Sequence, residues 1–171
     1  MPAVVDYISG VGWIRGCLPL LNRVGHSIPP VLLARQVKLQ ARKKWLVFTT
    51  TALMSGLFLA LTWLFYMGFG EQKLAWMPFA FLAIYFVFFV CIGINQLAFT
   101  TLQGKLVRAN RRGRLLLVSN TIGATTAVMC AFVLLSQWLT DENTRFDLIF
   151  GFSGALFGLS SLAMLFISEP R

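Results

Sequence analysis

Charge is what this 171-residue sequence has least of. Asp, Glu, Lys and Arg together make up 12% of it, about half the share usual in a soluble domain. A chain so poor in charge cannot cover itself with water-facing groups, and a bilayer is the solvent that tolerates such a surface. Histidine occurs once, at His26, with no second ligand near it in sequence, so no metal site is expected. Cys17, Cys91 and Cys130 form no CxxC pair and read as small packing residues. There is no Ser/His/Asp set, no phosphate-binding glycine loop and no pair of carboxylates inside an apolar run. An enzyme is therefore not expected, and no cofactor is implied. The N-terminus lacks the basic opening and clean apolar core of a signal peptide, since Pro2 and Asp6 interrupt it.

What is present is apolar. Hydrophobic residues account for 57% of the chain, and the mean hydropathy is +0.74. The net charge of +9 would suggest nucleic acid in a soluble protein. Here the basic residues stand beside apolar runs and no recognition fold accompanies them, so a membrane is the expected partner and nucleic acid is not.

Residues 45–70, 74–104, 115–140 and 148–168 contain no Asp, Glu, Lys or Arg. A spanning helix needs about 20 mostly apolar residues, so each window holds one span and none holds two. Helices are expected near 45–69, 75–99, 115–139 and 147–168. Trp45, Trp76 and Trp138 fall at the expected ends, with Tyr66 near another, where amphipathic rings suit the membrane interface. Pro78 falls in a first helical turn, where its missing N–H costs little.

Orientation follows from Lys and Arg. Arg35, Lys38, Arg42, Lys43 and Lys44 precede the first span, and Lys105, Arg108, Arg111, Arg112 and Arg114 separate the second from the third. The positive-inside rule places residues 35–44, 103–114 and the C-terminus in the cytoplasm, with the loops 70–74 and 140–146 outward. The expected location is a bacterial inner (plasma) membrane.

Residues 1–34 read ambiguously. Gly12 to Leu21 could lie along the membrane surface, and Ile28 to Val37 could form a short helix leading into the basic stretch. A shortened fifth span is the other reading. The expected fold is all-α: a polytopic membrane protein of four transmembrane helices plus an N-terminal amphipathic or partial helix. Residues 1–44 form an interfacial and basic segment, and residues 45–168 a four-helix bundle.

Small residues mark helix-packing faces. Gly154 and Gly158 form a GxxxG pair, Gly151 and Ala155 a second pair, and Ser119, Gly123, Ala127 and Ala131 repeat every fourth position. The partner helix could belong to this chain or to another. Asn95, Gln96, Asn120 and Thr121 are the polar residues that could touch a substrate; hydrogen bonding between helices is the plainer role for them. The basic side chains at Lys105, Arg108, Arg111, Arg112 and Arg114 could hold anionic lipid.

The stretch Leu102 to Gly123, LQGKLVRANRRGRLLLVSNTIG, runs from a span through a basic loop into Arg112-Gly113-Arg114 and straight on into the next helix. It resembles the connection between the fourth and fifth helices of the major facilitator superfamily. Ala34-Arg35-Gln36-Val37 and Ala41-Arg42-Lys43-Lys44 echo that family's loop between helices two and three, although Gln36 stands where an acidic residue is usual. The resemblance implies that the four spans correspond to helices three to six, with residues 18–37 a remnant of helix two.

That resemblance also implies transport. The family's first helix and second six-helix half have no counterpart, and alternating access needs two halves. The expected protein is thus a half-sized or truncated permease acting with a second copy or subunit, as a homo-oligomer or in a larger membrane complex. No ionisable residue stands near the middle of a span within 45–168, which argues against a proton- or ion-driven pump built from this chain alone. A non-transporting accessory or assembly subunit is the alternative, with Phe79, Phe81, Phe86, Phe88, Phe89 and Phe99 packing against lipid or a larger complex.

Overall fold

The computed structural model describes residues 2–8, 12–40, 42–67, 76–140 and 143–167. Residues 70–74 and 141–142, expected in the outward loops, and the C-terminus from residue 168 lie outside the described residues. Six helices follow in order: α1 (Pro2–Ile8), α2 (Gly12–Leu39), α3 (Lys43–Tyr66), α4 (Met77–Leu106), α5 (Ala109–Trp138) and α6 (Phe146–Leu165). A two-residue antiparallel pairing, Leu139 with Thr144 and Thr140 with Asn143, joins α5 to α6.

Among the described residues four helices are long and apolar enough to cross a bilayer: Lys43–Tyr66, Met77–Leu106, Asn110–Leu134 and Phe146–Leu165. Two of them outrun the spans expected at 75–99 and 115–139. α4 continues through Thr100, Thr101 and Gln103 to Leu106, and α5 already begins at Ala109, ahead of its arginines. Arg, Lys and Gln are good helix formers, so a charge marks where hydrocarbon stops, not where the helix does.

The N-terminal region differs more. Instead of short separate pieces, residues 12–39 form one 28-residue helix that runs through Pro19, Pro29 and Pro30. Each proline withholds an N–H from the carbonyl four residues back, and packing against α4 offsets that loss. Trp13 meets Phe79, with ring centroids 6.4 Å apart. Further along, Gly25 lies against Phe86, Phe89 and Val90, and Gly93 lies against His26 and Pro30. α2 therefore runs parallel to α4, side by side, over most of its length.

α3 runs antiparallel to both α4 and α6. Phe58 sits where the three meet, with ring centroids 4.9 Å from Phe88, 5.9 Å from Phe150 and 5.7 Å from Phe157. Offset and edge-on aromatic contacts of this kind favour close packing. Along α3 and α6 the facing order is Phe65 with Phe146 and Phe150, then Leu59 with Gly154, then Ser55 with Gly158. At the far end, Lys44 Nζ donates to the Ile167 carbonyl at 3.2 Å.

Two apolar clusters fill the bundle. The larger joins Val4, Val5 and Ile8 of α1 to Met77, Phe81, Phe146 and Phe150. α1 therefore closes the end where α4 and α6 begin, with Tyr7 5.4 Å from Phe146 and Asp6 paired to Arg15 at 3.2 Å. The smaller cluster joins Val37, Val47, Ala98 and Leu102 at the opposite, basic end. α5 stands apart: of its described side chains from 110 to 134, only Cys130 and Leu134 are even partly covered.

Candidate functional site

Between the two apolar clusters lies a belt of polar and small residues contributed by α3, α4 and α6. Its centre is Asn95 on α4. The Asn95 Nδ2 donates to Thr50 Oγ1 at 2.8 Å and to Thr51 Oγ1 at 2.7 Å, both on α3. The threonine hydroxyls pass the bond on. Thr50 Oγ1 donates to the Leu46 carbonyl at 2.8 Å, and Thr51 Oγ1 to the Val47 carbonyl at 2.7 Å. A hydroxyl bonded back to the preceding turn keeps its lone pairs for an incoming donor. Two adjacent threonines on an apolar helix thus make a ready acceptor pair for one amide.

The belt continues through Ser55, whose Oγ donates to the Gly154 carbonyl of α6 at 2.7 Å. Glycine makes that approach possible. A Cβ at Gly154 would stand 3.1 Å from Leu59 Cγ and 3.3 Å from the Leu59 backbone N, and one at Gly158 would stand 3.1 Å from Ser55 Oγ. The face carrying Gly154 and Gly158 therefore packs within this chain, on α3. Gly151 extends it, lying against Thr62.

Among the described residues the small-residue face of α5 has no such neighbour. Ser119, Gly123 and Ala127 are all exposed, and a Cβ built at Gly123 meets nothing within 4 Å.

The four residues weighed as substrate contacts are not brought together. Asn95 is half-buried in the belt, while Gln96, the next residue on the helix, is exposed. Asn120 and Thr121 are exposed on α5, with Thr121 giving its carbonyl to Thr125 Oγ1 at 2.8 Å.

The basic connection between α4 and α5 is partly occupied. Arg112 folds back so that its Nε donates to the Val107 carbonyl at 2.8 Å and its guanidinium to the Gly104 carbonyl at 2.6 Å. These are the carbonyls a helix C-terminus leaves without intrahelical donors. Arg108, Arg111 and Arg114 are exposed beside it.

Phe81 is buried in the larger cluster, with Phe88 and Phe89 packed against it, while Phe79 and Phe99 are exposed. A cavity of ≈ 10 Å³ lined by Leu57, Phe58, Leu61, Phe81, Ile84, Tyr85 and Phe88 opens between α3 and α4. That is about the least space a single water occupies, and its lining is apolar apart from Tyr85.

Sequence reading passed over Thr50, Thr51, Ser55 and Gly93. The signal was there in part: hydroxyls at 51, 55 and 62 share one face of an otherwise apolar helix at roughly helical spacing. No family model matches the chain, and neither a curated protein nor a solved structure is significantly similar to it.

Proposed function

We propose that this chain is an integral membrane subunit of permease type, half of an assembly that a second copy or a second polypeptide completes. The observation that carries this reading is α5. A 30-residue helix, apolar enough to cross a bilayer, stands beside a packed bundle with nearly every described side chain exposed. Its small residues at 119, 123 and 127 are the kind that admit a second helix closely. The resemblance of Leu102 to Gly123 to a major facilitator connection adds the expectation of solute movement. In this reading the basic ends at 35–44 and 103–114 face the cytoplasm of an inner membrane, with Arg108, Arg111 and Arg114 against anionic lipid.

The test is extraction of the full chain from its native membranes into lipid nanodiscs, followed by mass measurement and solute uptake in proteoliposomes. The expected result is a fixed stoichiometry with a second copy or another multi-span protein, and uptake only by the assembly. A lone monodisperse copy would overturn the proposal.

The second reading is a non-transporting accessory or assembly subunit. It is favoured by the belt, because the amide of Asn95 and the hydroxyl of Ser55 are spent on neighbouring helices and the adjoining cavity is apolar. Assembly without uptake would select it.

A further inference from the structure

α2 carries a charged side chain, Arg23, about midway along its length. Arg15 and Arg35 lie 20 positions apart on it, about 30 Å along a helix and close to the thickness of bilayer hydrocarbon. Arg23 stands between them. The parallel run of α2 along α4 fixes the level independently. Trp13 is beside Phe79 near the start of α4, and Gly25 is beside Phe86, Phe89 and Val90 near its middle.

Arg23 does not turn into the bundle: it is exposed, on a stripe with Leu20, Ser27 and Val31. Leu20 is 63% and Val31 77% exposed. A guanidinium at mid-membrane needs a partner. Among the described residues no carboxylate pairs with it. The chain's six acidic residues are Asp6, Glu71, Asp141, Glu142, Asp147 and Glu169, none of them in α2, α3, α4 or α5. Among the described residues the acids are Asp6 and Asp147, both at the end where α4 and α6 begin, so a second copy, in either orientation, brings neither to that level. The apolar flanks at Leu20 and Val31 suit a helix surface better than a water-lined path.

We infer that α2 is a fifth membrane span, and that its Leu20–Arg23–Ser27–Val31 face docks a membrane helix of a different polypeptide carrying a carboxylate opposite Arg23. This deepens the proposed function and rests on it, by making the completing partner a different chain. It also supplies the mid-depth ionisable group that residues 45–168 lack.

The test places a photo-reactive residue at Ser27 of the full chain in its native membranes. The expected adduct is a membrane-spanning peptide of another protein, with Asp or Glu within two turns of the attachment point. Arg23→Leu, which eases insertion, should lower the adduct yield at least ten-fold, and Arg23→Lys should keep most of it. Arg23→Glu should lose the adduct and regain it when the partner's acid is changed to Arg. Adducts to lipid alone, adducts to a copy of this chain, or a yield indifferent to Arg23→Leu would each overturn the inference. So would labelling of Ser27→Cys by a membrane-impermeant maleimide.

A second probe at Gly123 on α5 separates the two proposals. Protein capture at 123 without capture at 27 leaves the proposed function standing and sinks this inference, and capture at neither position sinks both.

Discussion

Gly93 faces the backbone carbonyl of His26 so closely that a Cβ on it would stand 2.7 Å from that oxygen, and 2.7 Å from Pro30 Cγ. The pairing has a covalent cause. Pro30 has no N–H to give the carbonyl four residues back, so the His26 oxygen is left without its helical donor where α4 comes nearest. Glycine lets the two backbones close over it. Gly93→Ala should force α2 away from α4 and cost about 1–3 kcal/mol, the usual range for overpacking. A thermal melt of the detergent-solubilised chain would register this as a lowered midpoint; an unchanged midpoint would contradict the close approach.

The Asn95 amide is satisfied by two hydroxyls of another helix. Asn95→Leu should destabilise the bundle by about 0.6–1.7 kcal/mol, the span measured for single hydrogen bonds between membrane helices. Thr50→Val together with Thr51→Val should add little once Asn95 is gone, because the same bonds are already lost. Full additivity in that triple variant would show that the amide and the hydroxyls act separately.

Gly154 and Gly123 make a matched comparison on two helices. Gly154→Ala meets Leu59 side-chain and backbone atoms at 3.1–3.3 Å and should cost about 1–3 kcal/mol. Gly123→Ala meets nothing and should leave the isolated chain's stability within about 0.5 kcal/mol, or raise it slightly through helix propensity. The same Gly123→Ala change should weaken assembly, if α5 is the completing face. Equal melts for the two variants would refute the assignment of packed and unpacked glycine faces.

Arg112 holds the turn between α4 and α5 through the carbonyls of Gly104 and Val107. Arg112→Ala should loosen that turn and speed limited trypsin cleavage at the neighbouring Lys105, Arg108 and Arg111. Cleavage as slow as in the unaltered chain would count against the cap.

A Cys-free background allows topology to be read by labelling. Tyr7 touches Phe146, so cysteines at 7 and 145 should react from the same side of the membrane. Cysteines at 40 and 110 should react from the opposite side, and the positive-inside rule predicts that this second pair is the one protected from a reagent added outside. Reaction of 7 together with 110 would rule out the parallel course of α2 and α4.

How far these features could be read from the sequence depended on whether a single residue type carried the information. The four apolar windows announced four helices, because hydrocarbon length sets one residue count. Gly154 and Gly158 announced a close approach but not its target, since small residues look alike from either side of a contact. α2 was obscured for a different reason. Arg23, Asn22 and three prolines lower its apolar character, and each proline taken alone argues for a break. Only the neighbouring α4, with Gly93 at the right height, shows why the helix continues. Asn95 was singled out, but its acceptors were not: Thr49, Thr50 and Thr51 all return a hydroxyl to their own helix, and only the crossing of α3 and α4 selects two of them.

The course of α2 along α4 has a consequence for synthesis. α2 leaves the ribosome ahead of the surface that receives it, which lies around Phe86 to Gly93 and is made only after α3 and half of α4. At ~5–20 residues per second that wait is on the order of several seconds. During it α2 must be kept by lipid headgroups or by the insertion machinery, and a chain halted before residue 85 would leave it stranded without its permanent neighbour.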